Sequence, residues 1–258
     1  MKRSSGARLG ATAAVSVLSL ALITGCSDSG SDDAENTEGS GSSSSSSAPA
    51  AKAATSAELE KLLLAQGDVK GYKVASGDDT LPKSKSAVKT DKAECNALAW
   101  ATAGLAPGDT DANASNSVAE DKAATATAQP EDIADAFDIN MTYVGLSSYD
   151  GDGAEKALKA VSDGVSACSG GYGLAAGGEN SKVTKVAAGQ GSGQGDESVA
   201  FSQGVDMDGE GTATFQTEVV RKGNTVATFY TVNFASLGSG KAAEVPAAVV
   251  EAQIAKLK

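Results

Sequence analysis

The sequence predicts an α+β domain: a mainly antiparallel sheet of about five to six strands flanked by helices, behind a disordered N-terminal tether. Three observations carry that expectation. Strand-like runs follow one another in the last third of the chain, helical periodicities lie before, between and after them, and residues 27–55 are almost free of large apolar side chains.

The chain opens with Lys2, Arg3 and Arg8 and no acid. A largely apolar stretch follows from Leu9 to Ile23, then Thr24-Gly25-Cys26. Basic, then apolar, then small is the order of a secretory signal peptide. Ile23-Thr24-Gly25-Cys26 resembles a lipobox, whose Cys receives a diacylglycerol before cleavage. Residues 1–25 are therefore expected to be removed, and Cys26 to carry the lipid that holds the protein on the outward face of a cell membrane. Two acyl chains on one residue give stable anchoring, whereas one chain binds only marginally.

Residues 26–55 hold Asp28, Asp32, Asp33, Glu35, Glu38 and a run of serines from Ser42 to Ser47. Such composition buries too little apolar surface to offset the entropy of ordering, so a disordered tether is expected. Its typical reach would be on the order of 30 Å.

Residues 56–258 are read as one domain. Ser56 can cap a helix carrying Ala57, Leu59, Leu62, Leu63 and Leu64 on one face. Tyr72 and Val74 suit a short strand, and Ala93–Ala103 a second helix stopped by Gly104 and Pro107. A loop rich in Asp, Asn and Ser is expected up to Asn116. Val118–Thr127 is weakly strand-like, and Ala136–Leu146 more clearly so, with Phe137, Ile139, Met141 and Tyr143 at period two. Asp152 opens a helix whose Ala154, Ala157, Leu158, Val161 and Val165 lead to Cys168, and Gly170–Gly178 reads as a loop. Four strands follow, at Lys182–Ala187, Ser198–Val205, Thr212–Val220 and Thr225–Phe234. Asp208-Gly209 and Gly223-Asn224 supply turns between them. A final helix spans Ala242–Leu257, with Pro246 tolerated near its start.

Composition excludes several classes. The net charge is −12, and loss of Lys2, Arg3 and Arg8 with the signal peptide takes it to −15. That disfavours nucleic acid as a partner. No His is present, which removes imidazole-based catalysis and His-containing zinc sites. With Cys26 lipidated, Cys95 and Cys168 remain, an even pair expected to form one disulfide in an exported domain.

Local motifs are thin. Ser86-Ala87-Val88-Lys89 fits S-x-x-K but lacks the S-D-N and K-T-G companions. The glycines from Gly189 to Gly195 miss the G-x-S-x-G and G-x-G-x-x-G spacings, and Gly238-Ser239-Gly240-Lys241 lacks the rest of a phosphate loop. Asp150-Gly151-Asp152 and the group Asp206, Asp208 and Glu210 are acidic turns; an EF-hand loop begun at Asp150 would need a carboxylate where Val161 stands. No metal or cofactor is expected.

The order Leu62-Leu63-Leu64, Asp68, Gly71-Tyr72, Glu94-Cys95, a helix from Ala154 to Cys168, then a long hairpin and a closing helix resembles a group of actinobacterial exported sensor-like domains. These occur as lipoproteins and as the PknH-type extracellular sensor domain of a mycobacterial Ser/Thr protein kinase. The resemblance covers most of residues 56–258 and implies an antiparallel sheet flanked by helices around a cleft for an unidentified ligand. It transfers no catalytic residue.

The functional expectation is a non-catalytic binding or sensor-like module for a small molecule or envelope component. The alternative is an envelope protein that presents a surface to another exported protein. Tyr72, Tyr149 and Tyr172 stand in loop-like contexts and are the candidates for a ligand-contacting wall. Nothing in the sequence indicates an oligomeric state.

Overall fold

The structure is a computed structural model that describes residues 52–76, 81–122, 138–209, 211–237 and 241–257. Cys26 and nearly all of the expected tether lie outside these residues, as do Phe137, Glu210 and Gly238-Ser239-Gly240.

Nine strands form one sheet: β1 (Tyr72–Ser76), β2 (Val88–Thr90), β3 (Asn113–Glu120), β4 (Asn140–Ser148), β5 (Tyr172–Ala176), β6 (Glu179–Ala188), β7 (Glu197–Asp206), β8 (Thr212–Lys222) and β9 (Thr225–Asn233). Their order is β1-β3-β4-β9-β8-β7-β6-β5-β2, and every neighbouring pair is antiparallel. This corrects the expectation of about five to six strands. β5 lies inside the glycine-rich stretch expected to be a loop, and its pairing with β6 and with the three-residue β2 extends one edge. β3 begins in the Asn- and Ser-rich segment also expected to be a loop. Its pattern is masked because the polar Asn116 and Ser117 are themselves buried.

Among the described residues, four α-helices cover the sheet: α1 (Ser56–Leu62), α2 (Asn96–Thr102), α3 (Gly153–Ala167) and α4 (Ala247–Ala255). Directly opposed strand residues share a face, so the register sorts the side chains. One cross-sheet row reads Ser76, Asn116, Val144, Phe229, Glu218, Ala200. On this face α1 and α4 bury Val144, Leu146, Ala227 and Phe229 with Leu59, Leu64, Val250 and Ile254. On the opposite face α2 and α3 pack Leu98, Leu158 and Val161 onto Val183, Val186, Phe201 and Val219. Each such aliphatic or aromatic side chain removed from water contributes roughly 1.5–3 kcal/mol. The architecture is thus three-layered, with two helices on each face of a dominant sheet.

Local chemistry explains the helix ends. Thr55 rather than Ser56 caps α1: its hydroxyl accepts from Glu58 N while the Glu58 carboxylate accepts from Thr55 N, a capping box. Ser56 instead ties the helix to the sheet, its Oγ accepting from Asn113 N at 3.1 Å. Buried positions 154, 157, 158, 161 and 165 give α3 its apolar stripe. Its end carries Cys168, bonded to Cys95 with a Cα–Cα distance of 5.9 Å, which fastens α3 to the turn preceding α2. Gly145 on β4 faces the end of α2, where a Cβ would lie 2.3 Å from the Gly104 carbonyl oxygen. The close approach of α2 to the sheet requires this glycine.

Candidate functional site

The row that crosses the sheet under α1 and α4 leaves a hollow on each side of the two helices. The larger, about 820 Å³, lies where β1 stops. Strand β1 pairs only as far as Ser76 opposite Asn116, so Asn113, Ala114 and Ser115 of β3 extend beyond it. The walls of this notch are the C-terminal end of α1 with Leu63, Leu64 and Gln66, the β1 residues Val74 and Ser76, and the segment from Leu81 to Lys83. Leu105 and Lys256 complete it. Its volume falls within the roughly 300–1,000 Å³ of small-molecule sites.

Two amides set the geometry. Gln253, fully buried on α4, accepts from Leu64 N at 3.1 Å and donates to the Leu62 carbonyl at 2.9 Å. Asn116 donates from Nδ2 to the Leu64 carbonyl at 2.8 Å. The chain leaving α1 is therefore held by a strand and by a helix almost 200 residues away, and helix-end groups that α1 cannot satisfy itself are paired. Asn116 is 1% exposed, yet its Oδ1 has no hydrogen-bond partner among the described residues.

Among its described lining residues, charge in the notch is mixed. Lys61, Lys83 and Lys256 line it against Glu60. Lys256 also meets Asp68, whose carboxyl is held below its ordinary range by that ammonium first and then by the Ala65 N–H. A side pocket of about 230 Å³ shares Lys83, Leu105 and Asn113 with the notch. Lys85 lines it, donating to the Gly108 carbonyl and standing 4.8 Å from the Trp100 ring centroid. Burial lowers the Lys85 pKa, and Asp109 and Asp111 oppose that shift.

The second hollow, about 540 Å³, lies over β7 and β8 beneath the glycine-rich loop. Buried Glu218 there accepts from Ser192 N at 2.8 Å and from Ser192 Oγ at 2.7 Å, and Glu244 adds a second carboxylate. The serine, glycines and Glu218 thus hold the loop against the sheet.

The three tyrosines are not brought together. Tyr149 is buried at 2% exposure; its hydroxyl accepts from Gly108 N and pairs with Ser147 Oγ, both at 3.1 Å. Tyr172 is buried at 3% against Gln203, which also meets Thr102. Burial raises the pKa of both phenols. These two side chains stand in the core rather than on a cleft wall, because the segments around them are ordered by β4 and β5. Tyr72 is half-buried on β1, two residues from the notch-lining Val74.

The acidic turns are engaged locally. Asp152 pairs with Lys156 at 2.8 Å, Asp150 accepts from Ala53 N, and Asp206 accepts from Gly209 N within its own hairpin. No group of three metal-ligating side chains occurs among the described residues. Ser86 pairs with Ser84, and Lys89 sits on strand β2. Among the described residues, no helix is long and apolar enough to cross a membrane.

No protein-family model and no curated protein matches this chain. Among solved structures, the extracellular domain of PknH from Mycobacterium tuberculosis is similar over 80% of this chain and 95% of that one. The identity is 13% and the TM-score 0.44.

Sequence reasoning missed the residues that build the notch: Lys61, Val74, Leu105, Asn116 and Lys256. No local signal marks them, since they come from five separate segments joined only by the β1-β3 register and by the return of α4 to α1.

Proposed function

We propose that this protein is a non-catalytic, extracytoplasmic ligand-binding module, tethered to the membrane by a lipid on Cys26, with the notch between α1, β1 and β3 as its binding site. The notch itself carries this reading: a cavity of small-molecule size, about 820 Å³, walled by aliphatic and polar side chains in about equal number. The tethering rests on the signal-peptide order of residues 1–26. The non-catalytic reading rests on the absence of His and on the local engagement of Glu218 and the acidic turns.

A thermal-shift screen of the Cys26→Ala chain against envelope lipids, glycans and small metabolites tests the reading, because a ligand of the native state raises its melting temperature. A hit should lose its effect in Ser76→Trp, which places an indole at the mouth from an exposed position on β1. Silence across the screen, or hits insensitive to Ser76→Trp, would count against it.

A second reading, a surface for another exported protein, is favoured by Phe234 at 49% and Met207 at 37% exposure. They follow the ends of β9 and β7, which the β7-β8-β9 register puts at one end of the sheet. Crosslinking on intact cells from Phe234 would separate the two readings.

A further inference from the structure

We propose that the second hollow, over β7 and β8, is a binding site for a small organic ammonium, with Glu218 as its counter-charge. This site is separate from the notch and does not depend on it. Among the described residues, Glu218 is the one Asp, Glu, Lys or Arg that is buried, at 4% exposure. Its Oε1 accepts from Ser192 N at 2.8 Å and from Ser192 Oγ at 2.7 Å. It forms no ion pair among the described residues. Taking a carboxylate out of water without a cation is costly. The latch onto the glycine-rich loop does not need that charge, because an amide oxygen would accept the same two hydrogen bonds.

The second carboxylate oxygen explains the charge. Oε2 takes no hydrogen bond among the described residues. Nor is it sealed in, since the two sealed side-chain atoms without partners there are Trp100 Nε1 and Asn116 Oδ1. The free oxygen therefore opens onto the cavity that Glu218 lines, about 540 Å³.

Acceptors and small side chains build the rest of the hollow. Ser202 stands opposite Gln216, two residues along each strand from the Ala200–Glu218 pair and on the same face. Ala188, Gly189 and Ala200 leave room above the sheet, and Glu244 adds a carboxylate from an exposed position. No Lys or Arg occurs among the described lining residues; Lys241, three residues before Glu244, is exposed and does not line the hollow. An alkylammonium fits this lining. Its three N–H groups serve Oε2 and the side-chain oxygens of Ser202 and Gln216, and its charge offsets that of the buried carboxylate. A quaternary ammonium has no N–H for Oε2, and a neutral alcohol leaves the charge uncompensated.

Isothermal titration of the Cys26→Ala chain with n-butylammonium, tetramethylammonium, n-butanol and calcium chloride is the test. n-Butylammonium should bind at least about tenfold more tightly than each of the other three. Glu218→Gln keeps an acceptor for Ser192 and should weaken that binding at least about tenfold without lowering the melting temperature. Ser202→Leu, at a half-buried position on the same face, should abolish it by filling the hollow with Glu218 intact. Ser76→Trp at the notch should leave it unchanged, so the two sites stand or fall separately. No binding of n-butylammonium, equal binding of any of the other three, or an affinity untouched by Glu218→Gln would overturn the proposal. Loss of amine binding in Ser76→Trp would overturn it too. Should Glu218→Gln fail to fold, retained binding in Ser202→Leu is the result that overturns it.

Discussion

The side-chain amide of Gln253 on α4 closes on the main chain of Leu64 just beyond α1, accepting its N–H at 3.1 Å in a fully buried setting. The same amide donates to the Leu62 carbonyl. One side chain thus joins α4 to the chain leaving α1 and holds one wall of the notch. Gln253→Leu preserves volume but leaves one buried and one partly buried main-chain group without these partners. A loss of about 2–4 kcal/mol is expected, read from urea unfolding; a loss under about 0.5 kcal/mol, the size of an ordinary surface change, would contradict this role.

The Cys95–Cys168 bond closes a sequence separation of 73 residues. In the chain-entropy argument a loop of that size contributes about 4 kcal/mol. The double replacement Cys95→Ala and Cys168→Ala should lower stability by about that amount, chiefly through the unfolded state. Equal urea midpoints for the oxidised protein and the double variant would show that the bond constrains nothing.

Acid should weaken the β8–β9 hairpin through Asp196. Its carboxylate accepts from Gly223 N at 2.7 Å and pairs with Lys222 at 3.1 Å, and these hold its folded pKa below the ordinary value, the Gly223 hydrogen bond most of all. A depressed folded pKa contributes stability that is complete above the unfolded value of about 3.9 and fades as pH falls through the folded one. The urea midpoint of the natural chain should therefore exceed that of Asp196→Asn near neutrality and converge with it in strong acid. A gap independent of pH would refute the assignment.

Anchoring makes a cellular prediction. With the anchoring lipid on Cys26 as proposed, Cys26→Ala should release the protein from the membrane fraction into the medium, because stable anchoring needs the acyl chains that this residue would carry. Fractionation followed by immunoblotting reads the outcome, and unchanged membrane retention would rule the anchor out.

How much of this was legible in the sequence depended on how local the signal was. The β8–β9 hairpin was readable because β-branched residues line both strands and Gly223, at φ +58°, supplies the left-handed turn before Asn224. The disulfide was readable because Cys95 and Cys168 are the cysteines left after Cys26. Helix α3 declared itself by five apolar positions at helical spacing. Strand β5 did not, since Tyr172-Gly173-Leu174-Ala175-Ala176 has too little β character alone and is specified by its partners β2 and β6. Tyr149 and Tyr172 looked exposed for the same reason: their burial comes from neighbours distant in sequence, Gly108 and Gln203. The notch was the least legible feature, because the register placing Ser76 beside Asn116 and the return of α4 are both long-range.

The most direct test of the notch as a small-ligand site is a photoreactive side chain introduced at Ser76, at the mouth of the cavity, followed by irradiation of intact cells and mass measurement of the protein. The account predicts an adduct of small-molecule mass that disappears when Ala114, a buried wall residue, is replaced by Leu to fill the floor. A protein-sized adduct, or no adduct under conditions where a control at Phe234 reacts, would contradict it.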